Sequence, residues 1–131
     1  MKNTLTMSHK DSTSSVSDTD VTEIKRTYYP SGKLFTETTY VNNKKHGIET
    51  WYYENGEIRS KGQYVNGEAD GITRWYHKNG KLKIEIPWVN GFVHGIEKEY
   101  YENGEPKSET KYVNGKIHDN IILNSWLTKL M

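Results

Sequence analysis

Residues 52–67 read YYENGEIRSKGQYVNG, and the same phrase returns every 24 residues on either side of them. Tyr28, Tyr52, Tyr76 and Tyr100 keep that step, as do Gly32, Gly56, Gly80 and Gly104. Tyr40, Tyr64, Trp88 and Tyr112 form a third column, each followed by Val-Asn, and Gly47, Gly71 and Gly95 form a fourth. Self-similarity at this period marks a repeat protein, in which each unit buries its apolar surface only against its neighbours and the product is an extended surface.

The punctuation inside the phrase sets the secondary structure. Asn-Gly occurs at 55–56, 66–67, 79–80, 90–91, 103–104 and 114–115. Asn-Gly is the strongest short hairpin signal, because a type I′ turn needs positive φ at both central residues. Ser31-Gly32 and Asn42-Asn43 are weaker versions. The steps between the pairs alternate 11 and 13, so two strand-plus-turn units make one repeat. The fold class expected is an all-β repeat: an antiparallel meander of about eight strands from four 24-residue hairpin repeats.

Strict alternation along the first strand of each unit places Leu34, Thr36, Thr38 and Tyr40 on one face, then Ile58, Ser60, Gly62 and Tyr64, then Leu82, Ile84, Ile86 and Trp88, then Pro106, Ser108, Thr110 and Tyr112. The opposite face is read as charged and solvated, through Arg59, Lys61, Gln63, Lys83, Glu85, Lys107, Glu109 and Lys111. The second strands carry an Ile column (Ile48, Ile72, Ile96) and a Tyr column (Tyr52, Tyr76, Tyr100) on one side, with Trp51, Tyr53, Trp75, His77 and Tyr101 on the other. Such a sheet is held by cross-strand pairs of roughly 0.2 to 1 kcal/mol each.

Composition sets limits on function. Hydrophobic residues make up 33% of the 131, too few for a thick core. The charge of +1 arises from 18 basic and 17 acidic residues alternating along the repeats, with no basic stripe for phosphates, so nucleic acid is not the expected partner. There is no cysteine, hence no disulfide or thiolate site, which fits a cytoplasmic protein. Residues 1–22 are rich in Ser, Thr and Asp, without the apolar run of a signal peptide, and read as a disordered lead. Residues 23–118 are the repeat domain, with units near 28–51, 52–75, 76–99 and 100–118. Residues 119–131 read as an amphipathic cap helix, because Asp119 and Asn120 precede Leu123, Trp126, Leu127 and Leu130 at helical spacing. Docking of that helix to a partner or a membrane surface is the alternative.

Catalytic readings are weak. His46, His94 and His118 share one repeat position, but neighbouring repeats lie roughly 10 Å apart at two strand spacings. Metal ligands sit about 2 Å from one ion, so these histidines read as local turn residues. Glu85 and Glu109 mimic a carboxylate pair only because any repeat generates that spacing. No nucleophile elbow, GxGxxG or Walker motif is present, and neither an enzyme nor a cofactor or metal is expected. The positive signal is for binding: Trp51, Tyr53, Trp75, His77 and Tyr101, edged by Arg74, Lys78 and Lys98, have the composition of a protein interface.

Tyr52-Tyr53-Glu54-Asn55-Gly56, Tyr64-Val65-Asn66-Gly67 and His94-Gly95-Ile96 together resemble the MORN-repeat variant, and specifically the bacterial YwqK-type antitoxin family. The resemblance runs from residue 28 to about 119. It departs from the pattern at Asn43, at Asp70 and at His118-Asp119-Asn120, where the last hairpin is expected to fray or change course. It implies a β-meander without enzymatic activity and, for the YwqK-type members, an antitoxin or immunity role against a protein toxin. The competing expectation is a scaffold or lipid-associated MORN protein, which balanced charge does not favour.

Overall fold

A computed structural model describes residues 2–8 and 19–122. The described residues form one antiparallel sheet of 12 strands. These are β1 (Lys2–Ser8), β2 (Val21–Tyr28), β3 (Leu34–Val41), β4 (Lys44–Tyr52), β5 (Ile58–Val65), β6 (Glu68–Ala69), β7 (Gly71–Tyr76), β8 (Leu82–Val89), β9 (Phe92–Val93), β10 (Gly95–Tyr100), β11 (Pro106–Val113) and β12 (Lys116–Ile122). Each strand pairs with its neighbour in sequence. The short β6 and β9 pair β5 and β8, as the first segments of strands that continue as β7 and β10.

The meander is longer than eight strands because the lead joins it. Lys2–Ser8 pairs with β2 from Lys2↔Thr27 to Ser8↔Val21, where the composition read disorder. At the other end Asp119–Ile122 belong to β12, paired to β11, so the helix expected from residue 119 does not start there. The rest of that proposed helix, 123–131, lies outside the described residues. There is no helix among the described residues.

The Asn-Gly turns are of two kinds, not one. Asn66, Asn90 and Asn114 have φ of 49° and their glycines φ of 83–90°, which is the two-residue I′ geometry, and Asn42-Asn43 reproduces it at 51° and 66°. Asn55, Asn79 and Asn103 are not in the positive-φ region. In those loops Gly56 N–H donates to Tyr53 O at 2.9 Å, Tyr53 N–H to Glu57 O at 2.8 Å, and Glu57 N–H to Asn55 Oδ1 at 2.9 Å, so only the glycine is left-handed.

The longer turn costs the following strand one residue of register. Trp51 pairs with Ser60 but Tyr52 pairs with Ile58, and the same step recurs at Trp75/Tyr76, Thr27/Tyr28 and Glu99/Tyr100. This bulge swaps the faces at the start of β3, β5, β8 and β11. Leu34, Ile58, Leu82 and Pro106 therefore lie opposite Tyr28, Tyr52, Tyr76 and Tyr100, not beside Thr36, Ser60, Ile84 and Ser108 as simple alternation predicts.

No hydrophobic side chain is buried among the described residues; the buried ones are Thr38, Thr50, Ser60, Gly62 and Thr110. The sheet is a single layer, and two faces follow from the pairing. The tryptophan face carries the row Thr27, Thr36, Trp51, Ser60, Trp75, Ile84, Glu99, Ser108, Ile122. The isoleucine face carries the charged row Arg26, Glu37, Thr50, Lys61, Arg74, Glu85, Lys98, Glu109, with ion pairs at Arg26–Glu37 (2.7 Å) and Arg74–Glu85 (2.9 Å). Beside it runs the Ile column, exposed by 41% at Ile48, 43% at Ile72 and 46% at Ile96.

Hydrogen bonds couple one repeat to the next at both edges. Tyr29 Oη–H donates to Tyr52 O at 2.6 Å and Tyr53 Oη–H to Tyr76 O at 2.7 Å, and His77 Nε2 makes the equivalent bond to Tyr100 O at 3.0 Å. At the opposite edge Gly67, Gly91 and Gly115 donate N–H to Lys45 O, Ala69 O and Val93 O at 2.7–2.8 Å. Asn66 N–H and Asn114 N–H donate to His46 Nδ1 and His94 Nδ1.

Candidate binding face

The bulges build the site. A bulge turns two consecutive side chains towards one face, so Phe35, Arg59 and Lys107 join the tryptophan face instead of alternating away from it. Phe35 packs against Tyr29 (ring centroids 4.7 Å) and against Trp51 edge-on (5.2 Å). Arg59 stands over the Tyr53 ring at 5.9 Å, and Lys78, from the next repeat, stands over the same ring at 6.0 Å. Lys107 lies over Tyr101 at 5.7 Å and pairs with Glu99 at 3.0 Å. Arg59 and Lys107, read from alternation as solvated charges on the far face, are thus part of the aromatic surface.

Between two neighbouring tyrosines of the ladder the surface opens into a hollow of about 410 Å³, lined by Tyr29, Tyr53, Glu54, Asn55, Arg59 and Lys78. Its rings are fixed by the phenol bonds to the next repeat, and its two cations are each supported by a ring face. Aromatic rings beside two cations suit an apolar group carrying a carboxylate. The run Tyr29–Phe35–Trp51 extends the apolar surface outward from the hollow.

The seven residues singled out from the sequence do not form one strip. Trp51, Tyr53, Trp75, His77 and Tyr101 belong to the tryptophan face, with Trp51 and Trp75 half-buried across Ser60 and Tyr101 exposed by 40%. Arg74 and Lys98 lie on the isoleucine face, in the charged row, where Arg74 is paired to Glu85. Tyr53 and His77 also hold the next repeat in register. Sequence reading missed Tyr29, Phe35, Arg59, Glu54 and Asn55. Their signal was the longer loop between strands, which implies the bulge.

Further along the same face, Glu49 accepts from Thr38 Oγ1–H at 2.9 Å and pairs with Lys45 at 2.8 Å. Burial lowers the Lys45 pKa, but the hydrogen bond and charge of Glu49 outweigh it and hold the ammonium above its ordinary value. Glu97 is pushed the other way from a normal carboxylate, upward, by burial and then by the neighbouring charge of Glu99. Among the described residues no group of three or more His, Cys, Asp or Glu is placed to hold a metal ion. Glu85 is engaged by Arg74, and His46 and His94 by the turn amides.

A coreless sheet built of equivalent hairpins, coupled repeat to repeat, with an aromatic and cationic face, defines a repeat module. The MORN repeat variant pattern matches at residues 24–42, 45–66, 69–90 and 93–114, well over half of the chain. The chain belongs to the MORN repeat variant family. Each match begins with a strand, so the family frame is offset from units counted from the Tyr column. No curated protein matches the chain. Among solved structures it is similar to a mutant of S. aureus TarM in complex with fondaparinux, α-GlcNAc-glycerol and UDP, with 13% identity and a TM-score of 0.47. The superposition covers 74% of this chain and 19% of that one, and a likeness at this level carries no functional argument.

Proposed function

We propose that this chain is a protein-binding module that neutralises a toxin in the cytoplasm by covering it stoichiometrically, with the tryptophan face as the contact surface. The observation carrying the reading is the hollow at Tyr29 and Tyr53, where Arg59 and Lys78 stand over an aromatic ring with no core beneath them. Aromatics and Arg dominate interface anchors, and a standard interface needs about 800 Å² per partner. Ten strand positions about 4.8 Å apart and eight residues long give one face of roughly 1,300 Å², which is sufficient. The resemblance to the YwqK-type antitoxins supports the nature of the partner.

The test is affinity capture from the native host with the neighbouring open reading frame co-expressed, comparing the parent with Arg59→Glu/Lys78→Glu. One protein captured at one-to-one stoichiometry, growth rescued by the parent, and both lost in the double variant would support the reading. Recovery of vesicles, or capture unaffected by the charge reversal, would oppose it and favour the scaffold or lipid-associated reading.

A further inference from the structure

The sheet is a single layer with no buried hydrophobic side chain among the described residues, whereas stable β architectures close an apolar face against a second layer. The isoleucine face is the one left short of a layer. Of the eleven large hydrophobic side chains exposed among the described residues, seven lie on it and four on the tryptophan face. Of those four, Val21 is isolated on β2, and Tyr101, Ile117 and Ile122 are confined to the last two hairpins. On the isoleucine face Ile72, Val89, Phe92, Ile96, Val113 and Ile121 stand one on each strand from β7 to β12, with Val89 opposite Phe92 and Ile72 opposite Pro87. A contiguous apolar patch of this kind marks an interaction surface.

We infer that a second copy of this chain supplies the missing layer, its isoleucine face packed on this one about a two-fold axis parallel to the strands, between β8 and β10. Charge sets the register. Arg74, Glu85, Lys98 and Glu109 stand side by side and alternate in sign. Rotation about that axis lays Glu85 over Lys98 of the second copy and Arg74 over its Glu109, and each pair occurs twice. The other charges of the overlap meet no like charge. Lys61 faces Ile121, Lys111 faces Ile72 and Asp119 faces Gln63, while at the turn rim Glu68 faces Val113 and Lys116 faces Val65. An axis on β8 or on β10 stacks like charges, Arg74 on Lys98 or Glu85 on Glu109. One between β4 and β5 is matched in charge but leaves Phe92, Ile96 and Val113 uncovered, and one between β10 and β11 overlaps only four strands. Aligned packing at about 30° offsets the outer pair by about 4 Å along the strands, within the reach of Arg74. The overlap spans six strand positions, about 29 Å, by about 26 Å of strand, or about 750 Å² per copy, close to the roughly 800 Å² of a standard interface. The apolar rows supply affinity and the charged row supplies register. This docking goes beyond the partner reading and leaves the tryptophan face free. Lys61 lies at the rim of the overlap, so whatever is trapped there is a second copy of this chain and not the partner of the tryptophan face.

The experiment is sedimentation equilibrium of the full chain, with circular dichroism to show that each variant is folded. At about 100 μM the parent is expected at twice the chain mass, as a micromolar dimer. Lys98→Glu sets like charges over Glu85 twice and should weaken the dimer about tenfold, and adding Glu85→Lys should restore it to within about threefold. Ile96→Glu should leave a monomer. Ile48→Glu, in the same column but one strand outside the overlap, should leave the dimer intact, as should Arg59→Glu/Lys78→Glu on the other face. The inference is overturned by a monomeric parent, as when the patch is covered within one chain, or by a dimer indifferent to Lys98→Glu or not restored by Glu85→Lys. It is overturned equally by a dimer as sensitive to Ile48→Glu as to Ile96→Glu, or by one lost in Arg59→Glu/Lys78→Glu.

Discussion

Replacing Gly95 by Ala tests how the sheet turns the corner between its two ladders. In the first three repeats the second strand carries two extra residues against its partner: Tyr40 pairs with Lys45 and Thr38 with Glu49, and the step recurs in the next two repeats. A glycine sits in each excursion, at φ +113° for Gly47, +98° for Gly71 and +119° for Gly95. A side chain there costs about 1 to 3 kcal/mol of backbone strain, offset by about 0.4 to 1 kcal/mol because alanine loses less freedom on folding. Surroundings then separate the sites. A Cβ on Gly95 would meet Pro87 Cγ at 3.1 Å, a ring fixed in β8, whereas one on Gly71 would have its nearest neighbour, Gln63 Oε1, at 3.7 Å. Gly71→Ala should therefore cost about 1 kcal/mol and Gly95→Ala about 2 kcal/mol. Urea unfolding would read this as a lower midpoint at constant slope, with amide exchange in β10 rising first. If Gly95→Ala stays within about 0.5 kcal/mol of the parent, as neutral surface changes do, the excursion does not depend on glycine and the reasoning fails.

Tyr53→Phe removes the donor to Tyr76 O while keeping the ring, and should cost about 1 kcal/mol in the same unfolding assay. Lys61 stands between Thr50 and Arg74, so Lys61→Glu exchanges a like-charge neighbour for an opposite one and should stabilise by about 0.3 kcal/mol, less in high salt. The Glu97 carboxyl titrates above its free value of 4.5, so the folded state disfavours its charge at neutral pH. Glu97→Gln should accordingly raise the melting temperature at pH 7, and that gain should shrink as pH falls through the raised value and vanish only below 4.5, where the parent is protonated whether folded or not.

Much of the fold was legible because the period is written in residues with one job each. The Val-Asn turn column fixed the hairpins, and the Ile and Tyr columns fixed the second strands. What escaped was the one-residue bulge, since alternation assumes that pairing keeps step. The bulge moves Ile58 and Arg59 to the faces opposite those expected, and with them the composition of the binding face. Arg74 and Lys98 were joined to the strip by proximity in sequence, although plain alternation already sets Arg74 opposite Trp75 and Lys98 opposite Glu99. Asp119, where three earlier repeats have glycine, did signal a change: β12 carries one extra residue instead of two, between Lys111↔Asp119 and Tyr112↔Ile117. Polarity misread the lead, because pairing along Lys2–Ser8 draws on backbone bonds that composition does not record.

Site-specific photo-crosslinking in the native host bears most directly on the central claim that the tryptophan face is a protein-binding surface. The crosslinker is placed at Lys78 on the hollow or at Lys61 on the opposite face. The account predicts one protein, trapped at one-to-one stoichiometry from position 78 and not from position 61, and protection of growth by the same chain. Crosslinking from position 61 alone, or none to any protein from position 78, would contradict it.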